Sequence, residues 1–228
     1  MTTPPQFATD LEAHHCRLDA ANYDDVYVVG DVHGSRATLE RLVTELAVDA
    51  DDLVVFVGDL VRKGPDSPGV LDLVRGRPEL VSVRGNNEQK LLDGRADPDW
   101  LREGDLSFLA SLPVAMSFDE ALVVHGGVDP ERPLCEHTVE DLLTTRAPHG
   151  DGYDGPFWYE SYDGPHRVFF GHTVHDRPVE REYAVGLDTG CVYGGALTAY
   201  DYRRDRFVAV DPVDEHRYRS ESKIVRPA

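Results

Sequence analysis

Along residues 26–92 the apolar and polar positions come in a repeated block: a short β-branched run, a glycine-bearing turn, then apolar residues at helical spacing. Val26–Val29 leads through residues 30–34 into Leu39, Leu42, Val43 and Leu46. Residues 53–57 lead through 58–67 into Val70, Leu71 and Val74, and residues 80–83 through 84–88 into Leu91 and Leu92. The runs are apolar without alternation, as in strands buried on both faces, so the block predicts parallel strands joined by helices. Beyond it the pattern changes. Residues 97–112 carry Trp100, Leu101, Leu106, Leu109 and Leu112 at helical spacing and stop at Pro113. Residues 114–118 and Ala121–Val124, around Asp119 and Glu120, predict a hairpin, and further strands are expected at 168–170, 184–187, 196–202 and 207–210. A strand-rich end after a βαβ start predicts a two-sheet α/β sandwich without internal repeats.

The flanks read differently. Residues 1–24 are polar and irregular and are expected to form a loosely held arm, with His14 and His15 in solvent; 25–212 form the one domain, and 213–228 a C-terminal tail. The Gly/Asp/Pro-rich stretch 148–165 is a long loop whose Tyr153, Phe157, Trp158, Tyr159 and Tyr162 either line a pocket or pin the loop down.

Charge narrows the function classes. In 228 residues, 23 Lys+Arg stand against 42 Asp+Glu, a formal net charge of −19. Such a field repels phosphate backbones and anionic leaflets, which argues against nucleic-acid and membrane-surface partners. The cations are 20 Arg and only 3 Lys, and the 27 Asp are spread from Asp10 to Asp214. With 9% aromatics and clear apolar runs this is the surface of a folded protein, and it resembles the composition of salt-in halophilic archaea, in which dense counterions screen self-repulsion. No leader-like segment or apolar run long enough to span a bilayer is seen, and Cys16, Cys135 and Cys191 form no C-x-x-C pair, so a cytoplasmic location is expected.

Five polar clusters each follow directly on an apolar run: Gly30-Asp31-Val32-His33-Gly34, Gly58-Asp59, Gly85-Asn86, His125-Gly126-Gly127 and Gly171-His172. The carboxyl ends of strands in open α/β sheets lie along one edge, so the clusters are expected to converge there. Asp, Asn and His are donors suited to Mn, Fe, Zn or Mg.

In order and wording these clusters resemble the calcineurin-like metallophosphoesterases, in particular the phosphoprotein-phosphatase branch with its GDxHG, GDxxDRG, GNHE, HGG and GH motifs. The segment Leu187-Asp-Thr-Gly-Cys-Val-Tyr-Gly-Gly-Ala-Leu-Thr198 is similar to the LDTGCVxGGxLTA segment of the diadenosine-tetraphosphatase and small bacterial phosphatase groups. The resemblance implies a four-layer α/β/β/α sandwich of two mixed sheets flanked by helices. It also implies two divalent ions, Mn first with Fe, Zn, Ni or Mg as alternatives. Carried over by position, Asp31, His33 and Asp59 would hold one, and Asp59, Asn86, His125 and His172 the other, with Asp59 bridging. Arg84, Lys63 and Arg146 match the family's phosphate-binding cations, Arg146 in a looser context.

One departure concerns chemistry. The family's general-acid histidine and the aspartate that orients it are replaced by Asn87 and Arg62. Asn transfers no proton near neutral pH, so poor leaving groups are expected to suffer, with His175 or Arg62 as alternative sources of help. The Lys63-Gly-Pro turn is also similar to the GDxVxKGPxS wording of ApaH-like phosphatases. The expected activity is hydrolysis of phosphoesters or phosphoanhydrides by a two-metal-activated water, on a phosphoprotein Ser/Thr substrate. The alternatives are dinucleoside polyphosphates such as diadenosine tetraphosphate, or a metal-binding regulatory homologue of low activity.

Overall fold

The computed structural model describes residues 4–148, 152–213 and 217–227. In chain order the elements are α1 (Thr9–Glu12), β1 (His15–Arg17), β2 (Val26–Val29), α2 (Arg36–Glu45), β3 (Leu53–Phe56), α3 (Ser67–Gly76), β4 (Leu80–Ser82), α4 (Asn86–Leu92), α5 (Glu103–Ser111), β5 (Ala115–Phe118) and β6 (Ala121–Val124). Then follow α6 (Val139–Thr144), β7 (Arg167–Phe170), β8 (Val179–Glu180), β9 (Ala184–Gly186), β10 (Leu197–Asp201) and β11 (Arg206–Val210). A five-stranded sheet has the order β11-β10-β2-β3-β4, and a six-stranded sheet the order β1-β5-β6-β7-β9-β8. Both are mixed: β2, β3 and β4 run parallel, as do β6, β7 and β9, while β10, β11 and β8 run against their neighbours.

Three apolar clusters account for the four-layer α/β/β/α arrangement. Val26, Val28, Val55 and Val57 from one sheet meet Met116, Val123, Phe169 and Val185 from the other. The opposite face of the five-stranded sheet packs Val29, Val54 and Phe56 against Leu39 and Leu42 of α2 and Val70 and Leu71 of α3. The opposite face of the six-stranded sheet packs Leu122, Val168 and Phe170 against Leu142 and Leu143 of α6 and Trp158. Burial of β2 and β3 on both faces is why their sequences are continuous apolar runs.

Two expectations need correction, and a third is narrowed to one of its alternatives. The arm is not loose over its described part: β1 pairs parallel with β5, Phe7 and Leu11 are buried in the core, and the His15 side chain is buried and bonded through Nε2 to Ser117 Oγ at 2.9 Å. Its apolar content is too sparse to read locally, and its partner strand lies about a hundred residues away. The helix expected over 97–112 starts only at Glu103. Pro98 disfavours helical geometry at Asp97, and the buried Asp105 carboxylate accepts from the Arg102 N–H at 3.0 Å while pairing with Arg75 at 2.9 Å, fixing the first turn. In the 148–165 loop, of which 149–151 lie outside the described residues, Phe157, Trp158 and Tyr159 pin the chain; Trp158 meets Phe170 edge-on at 4.8 Å. Tyr153 packs partly against the same cluster and contacts Arg146 and Arg219. No described helix is long and apolar enough to cross a membrane.

Several buried histidines give the fold a pH dependence, among them His175 and His15, which lie outside the polar clusters. Burial pushes His175 down to about 3, and burial followed by the Arg17 charge lowers His15. The unfolded chain takes up these protons near 6.5, so the stability is present above that pH and lost as pH falls toward the folded values. Each group adds up to about 1.4 kcal/mol per pH unit within its window. Denaturant unfolding between pH 7 and pH 5 is expected to show falling stability, with a shallower slope in His175→Gln; equal slopes would remove His175 from the account.

Candidate active site

The carboxyl ends of β2, β3, β4, β6, β7 and β9 meet at one edge, each followed by one of the polar clusters or by Asp188. Asp31, His33, Asp59, His125 and His172 are all at most 6% exposed. His33 Nε2 lies 3.7 Å from Asp31 Oδ2 and 3.6 Å from Asp59 Oδ2, and His125 Nε2 lies 3.4 Å from Asp59 Oδ1. Donor atoms of Asp31, Asp59 and His125 fall within 4.8 Å of one another. Asn86 Nδ2 is 3.1 Å from His172 Nδ1, and the His125 and His172 rings meet edge-on at 5.0 Å.

The loops hold this arrangement through backbone amides. Glu88, fully buried on α4, accepts from the N–H of Asp59 (2.9 Å), Val61 (3.1 Å) and Gly85 (2.7 Å), and so ties the loop after β3 to the start of α4. Burial and the nearby Asp59 push its carboxyl up to about 7, against the pull of those three amides. Asp59 in turn accepts from the Asn87 N–H at 2.8 Å, and Asp31 accepts from the His172 N–H at 3.3 Å. That last approach needs Gly171, where a Cβ would stand 2.0 Å from Asp31 Oδ1. His33, Asp59 and His172 have φ of 51°, 52° and 65°, a left-handed conformation that costs non-glycine residues about 1–3 kcal/mol each. Such strain persists where neighbouring contacts over-determine it, and Glu88 supplies part of that determination.

The protonation pattern fits cation binding. A carbonyl only accepts, so His125 Nδ1, 2.8 Å from Val57 O, and His33 Nδ1, 3.3 Å from Val61 O, carry the ring protons. Burial, followed for His33 by the Lys63 charge, keeps both rings neutral at ordinary pH, His33 at about 3. His125 Nε2 is therefore a lone pair that faces a carboxylate oxygen with no hydrogen-bond partner among the described residues, whereas the His33 Nε2 lone pair is met by the Lys63 ammonium. Acceptor against acceptor is repulsive unless a cation lies between. Burial and then Asp188 and Asp59 push Asp31 well up; at Asp59 burial also opposes ionisation, and the Lys63 ammonium and the Asn87 N–H favour the carboxylate. The donor set of Asp31, Asp59 and His125 suits a divalent ion.

The second group of expected site residues divides. Arg62 Nη1 donates to Asn87 Oδ1 at 2.9 Å, and Asn87 Nδ2 donates to Asp59 Oδ2 and, at 3.0 Å, to Asn86 Oδ1. The Lys63 ammonium reaches the cluster and donates to His33 Nε2 at 2.7 Å. Arg146 donates to His172 O at 3.5 Å and lies within the field of Asp188 and Asp31. Arg84, expected to grip phosphate, is turned away: it donates to Gln89 Oε1 (3.1 Å) and to the carbonyls of Ala110 (2.9 Å) and Leu112 (3.0 Å) at the end of α5. His175 is likewise no substitute acid, being buried with Nε2 on Tyr159 OH at 3.1 Å.

Sequence reasoning gave no role to Glu88, Asp188, Tyr193 or Arg219. Asp188 was findable, since it follows a strand run as the other clusters do; it is 3% exposed, and burial raises its carboxyl despite Lys63 and Arg219 nearby. Arg219 gives no local signal.

A family model described as calcineurin-like phosphoesterase matches residues 25–181. Serine/threonine-protein phosphatase 1 of Salmonella typhimurium is 32% identical over 213 residues, covering 80% of this chain and 94% of that protein. The asymmetrical bis(5'-nucleosyl)-tetraphosphatase PrpE of Bacillus subtilis is 26% identical, covering 84% and 98%. A crystal structure of a candidate diadenosine tetraphosphatase superposes with TM-score 0.76 at 30% identity, over 86% of this chain and 97% of that one.

If Glu88 holds the strained loops, Glu88→Gln, which keeps one acceptor oxygen but cannot serve three amides, should lower stability by about 1–3 kcal/mol. Amide exchange at Asp59, Val61 and Gly85 should accelerate together. Protection unchanged at all three amides would contradict the assignment.

Proposed function

The chain belongs to the calcineurin-like phosphoesterases, and from that premise we propose that Asp31, His33, Asp59, Asn86, His125 and His172 hold two divalent ions at which a phosphate ester or anhydride is hydrolysed. The observation that carries the reading is the neutral His125 Nε2 facing Asp59 Oδ1 at 3.4 Å with no donor between them. Divalent ions held by these residues would supply Lewis-acid polarisation of a phosphoryl group and a water of lowered pKa. Asp59, whose carboxylate approaches both His33 and His125, would serve as ligand to both ions. Mn is the first candidate metal for this oxygen-rich donor set.

The Arg62–Asn87 pair has a different task from a proton-donating dyad. Arg62 fixes the Asn87 carboxamide, whose N–H groups then orient Asp59 and Asn86. Both residues are positioning groups. Loss of a general acid typically costs 10²–10⁴-fold, which falls on alkoxide leaving groups and spares aryl phosphates and phosphoanhydrides. Hydrolysis of phosphoanhydrides is therefore the reading that this pair favours. A phosphoprotein Ser/Thr substrate is the second reading, supported by the 32% identity to a serine/threonine-protein phosphatase. A regulatory homologue without turnover has only the Arg62–Asn87 replacement in its favour.

With Mn²⁺ at molar salt, p-nitrophenyl phosphate should be hydrolysed by the wild type and at least about a hundredfold more slowly by Asp59→Asn. No wild-type turnover, or undiminished turnover in the variant, would defeat the catalytic reading. On phosphoserine peptides the double change Arg62→Asp with Asn87→His should exceed either single change, because an imidazole needs the carboxylate to orient it. Equal rates for single and double variants would refute that coupling.

A further inference from the structure

Five side chains form an unbroken arc from the His33 side of the site to the His172 side. The Lys63 ammonium, on His33 Nε2, lies 5.4 Å from the Tyr193 ring centroid. Arg219 packs its guanidinium 4.7 Å from the same ring and 5.4 Å from the Tyr153 ring, and donates through Nη2 to Tyr153 OH at 2.7 Å. Arg146 lies 5.0 Å from the Tyr153 ring and donates to His172 O. Three cations and two phenols thus alternate along the rim of a site whose buried floor carries Asp31, Asp59 and Asp188.

The position of Arg219 is built by the C-terminal segment. The Arg217 N–H donates to Val192 O at 2.8 Å, and Val225 is buried in the core with its N–H on Val174 O at 2.8 Å. Between these anchors Arg219 Nε donates to Lys223 O at 2.9 Å, which orients the guanidinium toward the two rings. Arg146 and Arg219 share one phenol ring and repel each other, and among the described residues neither lies within ion-pair distance of a carboxylate. Two fixed guanidiniums on one aromatic shelf are suited to gripping an anion with several planar-accessible oxygens.

We propose that Arg219, carried on the C-terminal strap, is a specificity-determining residue that takes the second phosphate of a substrate with two or more linked phosphates, while the metal cluster takes the first. The assignment rests on the phosphohydrolase reading and names its substrate class. A linked second phosphate suits a rigid arc, since its distance from the scissile group is fixed by covalent geometry. It also agrees with the missing general acid, because a phosphate leaving group departs without protonation. Tyr153 and Tyr193 act by holding the guanidinium in place.

The test compares inorganic tripolyphosphate with orthophosphate as inhibitors of p-nitrophenyl phosphate hydrolysis, at a fixed excess of free Mn²⁺, together with calorimetric binding of the same two anions to the full chain. The wild type should prefer tripolyphosphate by about tenfold or more, Arg219→Ala should lose most of that ratio, and Arg219→Lys should keep part of it. A wild-type ratio near one, or a ratio unchanged in Arg219→Ala, would overturn the proposal. Should Arg219→Ala fail to fold, Tyr153→Phe, which removes only the hydroxyl that holds Nη2, puts the same ratio to the test. Absent turnover by the wild type would count against the phosphohydrolase reading alone, and the calorimetric ratio would still decide the subsite.

Discussion

The buried Glu88 carboxylate is the constraint on which the site geometry depends. It gathers the amides of Asp59, Val61 and Gly85, and so sets the direction in which the chain leaves β3 and enters α4. From that follow the left-handed conformation at Asp59, the Asn87 N–H on its carboxylate, and the distances of Asp59 to His33 and His125. A carboxylate buried beside another carboxylate is unfavourable, and three amides offset part of that cost. The α/β/β/α scaffold makes this local, since six strand ends from two sheets deliver their loops to one edge.

The charge distribution separates two scales. Over the whole chain the net charge is −19, which opposes any anionic substrate. At the rim of the site Lys63, Arg146 and Arg219 reverse that sign locally, and divalent ions on the floor would strengthen the reversal. Exposed charge is screened at high ionic strength, so substrate attraction is a short-range property of a few placed cations.

What could be read from the chain follows from the range of the interactions. The strands β2, β3 and β4 and their clusters were legible because an apolar run and the turn after it are contiguous. The six residues expected as ligands lie near one another because topology puts their strand ends at one edge, and Asp31, Asp59 and His125 bring donor atoms within 4.8 Å of one another. The pairing of β1 with β5 was not legible, since His15 and Ala115 lie far apart in sequence. Arg84 was misassigned because motif position does not say that the end of α5 presents carbonyls to its guanidinium. Arg219 was invisible for the converse reason: nothing near residue 219 announces that Val225 anchors the strap and brings it beside Tyr193.

The proposed chemistry stands on the imidazoles and carboxylates at this edge forming one site for two cations. Calorimetric titration of the metal-free chain with Mn²⁺ at molar salt, with metal content checked by elemental analysis, addresses it without reference to any substrate. The account predicts saturation at two Mn²⁺ per chain. Saturation at one ion, or no binding above that of surface carboxylates, would contradict it.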